Sequence, residues 1–426
     1  MQAPPSVRCL REAHGHVFQH GRSLGMIDAS SFDGGDALLA AFRERAAGVR
    51  TDGAAPLLLG DKARPEAWAR TPGGGKWPTL EGFDRATAGA AALCWCFDYH
   101  QLFANSAALA LAGIDQHTPD PVGGRIERDA DGRPTGVLLE KAALMLWHAM
   151  PEPDESERTS LLRAATHDLE HVHAFREVHD MKAQPWLGPA LAELDDAGEL
   201  RASYHLWPLM EDLEASHASC ARWSRERVRL AGGKIFVDGT LNSRTAWMLA
   251  PYADGPPEHP AGMAMMSPGA IEDAVRLCDA LGLPLAAHAI GDGAVRAVLD
   301  AIERVRPRTP GFRIEHCELI DPADVPRFAE LSVTASVQPC HLLPDMEALR
   351  AGVPDRLGRV LPIRELLDSG ARVIFGSDVP IVRPHPGDSI QAGVHRRREG
   401  MNASAAIAPE QAISEDEAWA CFDAGA

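Results

Sequence analysis

Six residues of this chain have the chemistry to hold a divalent cation, and each closes a short apolar run. They are His14 and His16 in AHGHVF, Lys234 in GGKIFVDG, His288 in LPLAAHAIGD, His316 in FRIEHCE and Asp378 in ARVIFGSD. Imidazole nitrogens and oxygen anions suit zinc, and also iron, manganese or cobalt. A cation in such a set acidifies water and polarises a carbonyl, which is hydrolytic chemistry. Asp378, at the end of a buried strand, would bind the metal and take the proton of the attacking water.

Each member alone has a plainer explanation. His14 and His16 are two apart, so on a strand they point the same way. With 18 His in the chain, however, chance alone yields roughly one such pair. A second pair, His171 and His173, falls in a helical pattern, where residues two apart diverge. A His that ends a strand is more often a satisfied core residue. Lys234 could snorkel and pair with Asp238, or it could be a lysine carbamylated by carbon dioxide that bridges two metals. The order and the repeated setting carry the reading, not any single residue.

The elements that position these residues follow a pattern. From about residue 175 onward, short apolar runs alternate with helical segments such as AIEDAVRLCDALG and GAVRAVLDAIERV. Such alternation predicts parallel strands with crossover helices. Counting the segment before His14, eight strands emerge, which predicts a TIM-type (β/α)8 barrel with its site at the C-terminal strand ends. Residues 1–50 read as the first strand and helix of the barrel, and residues 151–426 as its remainder. Between them, residues 51–150 carry turn clusters such as TPGGGKWP and DADGRP and read as an inserted α/β subdomain over the barrel mouth.

Composition narrows the function classes. The chain has 426 residues, 45% hydrophobic and 24% charged, as in a soluble globular protein. A formal net charge of −18 argues against a nucleic-acid or anionic-membrane surface and leaves a small-molecule substrate as the expected partner. The eight Cys form no CxxC pair and several sit in apolar runs, so they read as reduced thiols in a cytoplasmic protein. No run approaches the ~18 apolar residues of a membrane span. Neither a phosphate loop nor a G-x-S-x-G elbow is present.

The phrases FDYHQLFANSAALALAGI, GKIFVDGTLNSRTAWMLAPYAD, HAIGDGAVRAVLDAIE and RIEHCELIDPADVPRFAELSVTASVQP, with the metal-type runs above, carry a resemblance. The chain resembles the amidohydrolase superfamily, and within it the YtcJ-like branch that includes N-substituted formamide deformylase. The resemblance implies that His14, His16 and Asp378 hold one metal, usually zinc. It implies that His288 and His316 hold a second and that carbamylated Lys234 bridges the two. Asp378 would act as general base and acid in cleaving a C–N bond of an amide or formamide. His100 and Asn105 match a family segment of the insertion that reaches over the barrel mouth, while His179, Arg244, Gln338 and His341 lie at or just beyond strand ends. Each of the six is a candidate to position substrate or oxyanion, or else a structural residue.

The chain also departs from that pattern. The family's accessory β-sandwich is expected to be mostly or wholly absent, which predicts exposed barrel ends and homo-oligomers. Arg8, Arg11 and Glu12 stand in a first strand that should be nearly all apolar, which predicts a weakly seated strand. Two alternatives remain open at this point. One is a mononuclear deaminase of the same superfamily, with Lys234 unmodified. The other is a truncated, weakly active homologue with a binding or assembly role.

Overall fold

A computed structural model of the chain describes residues 4, 7–48, 57–65, 68, 77–97, 99–121 and 123–425. Most of the TPGGGKWP cluster lies outside the described residues. The chain divides into two compact units: residues 1–20 with 162–426, and residues 21–161.

The larger unit carries all six candidate cation-holding residues. Its strands form two sheets, and every pairing in them is parallel. The first sheet runs Arg11–Gly15, Glu177–Asp180, Ser203–Leu206, Val228–Leu230. The second runs Gly233–Phe236, Leu285–Ala289, Arg313–His316, Thr334–Val337, Val373–Phe375. Isolated parallel bridges also pair Leu209 with Lys234 and Gly15 with Val379.

Parallel neighbours require long crossovers, and helices supply them. The Asp292–Val305 helix shows why the sequence complies. It buries Val295, Val298, Leu299 and Ile302, spaced as one face of a helix. The Pro268–Ala280 helix starts with Pro at its first turn and Ser267 as its cap. The helix Met210–Trp223, between the Ser203–Leu206 and Val228–Leu230 strands, was not read from the sequence pattern.

The first strand corrects the expectation of weak seating. All five residues of Arg11–Gly15 are buried, and the charges are partnered. Arg11 donates to the carbonyls of Cys421 and Asp423 at 3.3 and 3.2 Å. Glu12 accepts from the amide of His14 and from both the amide and hydroxyl of Ser377. Such partners offset part of the cost of burying a charge, although burial still raises the Glu12 carboxyl to about 7. Leu10 bridges Asp423, so the segment after the Glu415–Phe422 helix holds the start of the strand.

The smaller unit has its own mixed sheet of six strands, in the order Ile27–Asp28, Leu57–Ala63, Ala91–Cys96, Gln101–Ala104, Pro134–Glu140, Gly124–Arg128. Strand alternation divides its core in two. Leu93, Trp95, Leu102 and Leu138 pack on one face, and Ala92, Cys94, Phe103 and Val137 on the other. This accounts for Cys94-Trp95-Cys96 as a buried strand. The unit begins earlier than the 51–150 boundary drawn from turn clusters. Ile27–Asp28 pairs with Leu57–Ala63, and Leu38 and Phe42 of the Gly35–Gly48 helix pack with Phe83 and Phe103. That helix therefore belongs to the second sheet and not to the first strand's unit. No helix among the described residues is long and apolar enough to cross a membrane.

Candidate metal centre

The candidate residues converge at one set of strand ends. His14 lies in the first strand and His16 just beyond it, while Asp378 follows the last. Backbone contacts join these ends: Asp378 donates its amide to the His14 carbonyl at 2.7 Å, and His16 donates to Val379 at 2.9 Å. His14 Nε2 and His16 Nε2 lie 3.5 and 3.0 Å from Asp378 Oδ1. The His316 ring centroid is 4.7 Å from that of His14 and 4.5 Å from that of His288. Ligand atoms of His14, His316 and Asp378 lie within 4.8 Å of one another.

Two of these residues sit in strained backbone. His316 has φ 72° and Asp378 φ 61°, in the left-handed region that few non-glycine residues enter. Such strain persists where surrounding structure imposes it, and it clusters at functional sites.

The electrostatics favour ligand forms. Burial lowers His14 to about 4 against the opposing pull of Asp378. Burial, reinforced by the charge of Lys234, lowers His288 to about 3. Burial and the neighbouring His288 push His316 well below the usual range. All three are therefore neutral imidazoles at pH 7, the form that binds metal. Burial raises the Asp378 carboxyl, but His14 and His16 outweigh it and hold it below the usual carboxylate range. Burial lowers Lys234 to about 8.

Whether a cation fits is tested by polar atoms left over. Lys234 Nζ and His316 Nδ1 are buried and have no hydrogen-bond partner, and Asp378 Oδ1 is buried with His16 Nε2 beside it at 3.0 Å. Buried polar atoms are rarely left so. Two orphans and an under-satisfied carboxylate oxygen, all of ligand type, fit a bound cation. Asp238 does not pair with Lys234. It accepts from the amides of Trp247, Ile290 and Gly291, and lies 3.5 Å from His288 Nε2.

The residues expected to contact substrate divide. His341 and Gln338 lie beside the cluster. The His341 ring is 6.2 Å from that of His316, and Glu318 and Asp378 overcome burial to raise it to about 9. Gln338 is buried, and its Oε1 has no hydrogen-bond partner. The others are engaged elsewhere. His179 contacts Glu177, Trp207 and Arg313. Arg244 is held by both oxygens of Asp254 and by the carbonyls of Leu241 and Ala348, a loop-fixing role in place of a substrate contact. His100 pairs with Glu140 in the smaller unit.

Asn105 is a further correction. It caps the Ser106–Leu111 helix, accepting from the amides of Ala92 and Ala108. Its amide group donates to Thr87 and Ala90. Fully buried, it has nothing left to offer a substrate.

A model of the amidohydrolase family matches residues 10–422. The chain belongs to the amidohydrolase family. It is 29% identical over 395 residues to putative amidohydrolase YtcJ of Bacillus subtilis, covering 91% of this chain and 72% of that protein. It is 33% identical over 337 residues to N-substituted formamide deformylase of Arthrobacter pascens, covering 75% of this chain and 60% of that one. It is 30% identical to LONG AFTER FAR-RED 3 of Arabidopsis thaliana, of which it spans 58%. The fold is shared with an uncharacterized metal-dependent hydrolase of Pyrococcus horikoshii, with a TM-score of 0.79 at 23% identity over 97% of this chain and 79% of that one. The expectation of a YtcJ-like amidohydrolase holds on these matches.

One residue beyond the six candidates also faces the cluster. Glu315 directly precedes His316, and neighbours on a regular strand point to opposite faces. Instead Glu315 Oε2 lies 2.6 Å from His14 Nδ1. The positive φ of His316 breaks the alternation, so both residues face the cluster. The signal available in the sequence was the run of charged residues in FRIEHCE, in a strand that is otherwise apolar.

Proposed function

We propose that this protein is a metal-dependent hydrolase that cleaves a C–N bond of an amide or formamide. The observation that carries the proposal is the cluster of His14, His316 and Asp378 around orphaned, buried ligand atoms. The likeness to N-substituted formamide deformylase supports the bond class. Counting Val228–Leu230 and Gly233–Phe236, separated by two residues, as one interrupted strand, we read the two parallel sheets and their two bridges as one eight-stranded barrel, with the cluster at its C-terminal rim.

On this reading His14, His16, His288, His316 and Asp378 would hold one or two cations, zinc being the best fit to their donor set. A cation there supplies Lewis acidity, which lowers the pKa of water and polarises a carbonyl. Asp378 accepts the proton of the attacking water and returns it to the departing nitrogen. His341, protonated at neutral pH, attracts the developing negative charge on the carbonyl oxygen. Lys234 is a candidate for carbamylation. Its burial raises the uncharged fraction of the amine well above that of an exposed lysine, and only an uncharged amine adds carbon dioxide.

The test is metal content per chain, together with activity on a panel of N-substituted formamides and N-acyl amines. Two metals and bicarbonate-dependent recovery would support a carbamate bridge. One metal with an unmodified Lys234 would favour the mononuclear deaminase. Folded protein that takes up no zinc at micromolar concentration would end the hydrolase reading.

A further inference from the structure

Beneath His14 runs a chain of buried polar contacts that the six cation-holding residues do not include. Glu315 Oε2 is 2.6 Å from His14 Nδ1. The same carboxylate accepts Nε of Arg313 and, at 3.0 Å, its Nη2. Arg313 also reaches the Ala13 carbonyl at 2.6 Å, Ser336 Oγ at 2.8 Å and His179 Nδ1 at 3.1 Å. His179 Nδ1 accepts from Trp207 Nε1 as well, and its Nε2 lies 3.1 Å from Glu177 Oε1.

Donor and acceptor roles along this chain are forced. Guanidinium and indole nitrogens only donate, and an ionised carboxylate only accepts. His179 Nδ1, facing both Arg313 and Trp207, must therefore carry no proton. Its Nε2 carries it and donates to Glu177. At the other end, Glu315 can only accept, so His14 Nδ1 carries the proton and Nε2 is left bare. That bare nitrogen is the one directed at Asp378.

We infer that Glu315, clamped by Arg313, is the positioning residue for His14: it fixes the ring's tautomer and aims Nε2 at the cation. A carboxylate behind a ligating imidazole both orients the ring and raises its basicity. The inference rests on the metal-centre reading above. It also assigns the cluster of Glu177, His179 and His205, whose ligand atoms lie within 4.8 Å of one another. A second cation there would have to displace the His179 Nε2 proton while Nδ1 still faced a guanidinium. These residues are the foot of the relay and not a second metal site.

Two measurements on the full chain test the inference. The first is zinc affinity of Glu315→Gln, by competition with a chromophoric chelator. We expect a loss of about 10–100-fold. Because Gln leaves the buried Arg313 without its counter-charge, the paired variant R313Q/E315Q is measured beside it, and thermal unfolding of each metal-free variant reports folding. The second is the His14 tautomer in the metal-free parent protein, read by NMR on isotope-labelled histidines, with the proton expected on Nδ1. Folded E315Q or R313Q/E315Q binding zinc within about twofold of the parent would overturn the inference. So would a proton on His14 Nε2. Failure of the parent to bind zinc would instead count against the metal centre itself, and the tautomer would still decide the role of Glu315.

Discussion

Glu12 and Ser377 are 365 positions apart, yet the amide and the hydroxyl of Ser377 both donate to the Glu12 carboxylate, at 2.8 and 2.7 Å. Glu12 stands two residues before His14, and Ser377 one before Asp378. The pair thus stitches the strand that carries His14 to the strand end that carries the acid. The amide of His14 completes the set at 3.0 Å. Removing the carboxylate strands three buried donors. Glu12→Ala should cost on the order of 3 kcal/mol, as a fall in urea midpoint with unchanged slope. Zinc affinity should fall with it. A variant as stable as the parent would show that the pair does not hold the seam.

This contact also shows how far the sequence could be read. The parallel strands and most crossover helices follow from alternating apolar runs, and the cation-type residues follow from their places at the ends of those runs. What stayed hidden was long-range. Arg11 and Glu12 looked like faults in an apolar strand because their partners, Cys421, Asp423 and Ser377, are more than 360 positions away. That Glu315 and His316 share a face could not be read, because a positive φ at His316 cannot be seen in a residue type. Asn105 looked like a pocket residue because a cap and a substrate contact call for the same side chain.

The buried histidines set a pH dependence for the metal-free protein. His14 and His288 fall from 6.5 to about 4 and about 3 in the folded state. Unfolded histidines take up protons near 6.5, so below that pH the unfolded state binds more protons than the folded one. Their contribution is therefore full above about 6.5 and is lost as pH falls toward 4 and below. Metal-free protein should unfold at progressively lower temperature between pH 7 and 4. His288→Gln should flatten that slope. A slope identical to the parent's would mean that His288 is not buried neutral.

Asn105→Ala separates a structural role from a substrate contact. The substitution removes a helix cap and leaves the amides of Ala92 and Ala108 unsatisfied. The expected cost is about 2–4 kcal/mol of stability. Turnover by the protein that remains folded should keep the parent's KM. A raised KM at unchanged stability would restore Asn105 to the substrate pocket.

Lys234 gives the sharpest separation of fold from function. Its ammonium is 1% exposed and has no hydrogen-bond partner, although its charge is felt by Glu315 and Asp378. Burying an unsatisfied charge costs several kcal/mol, so in the metal-free protein this residue opposes folding. Met fills nearly the same volume without the charge. Lys234→Met should therefore raise the unfolding temperature of the metal-free protein, by an amount corresponding to on the order of 3 kcal/mol, the linkage equivalent of a lysine lowered from 10.5 to about 8. The same substitution should lower metal uptake and remove any response to bicarbonate, because no amine remains to carry a carbamate. Calorimetry of metal-free protein and metal analysis of loaded protein read the two effects independently. If Lys234→Met destabilises the metal-free fold, the ammonium is satisfied by contacts that keep it charged. In that case the carbamate reading loses its physical basis.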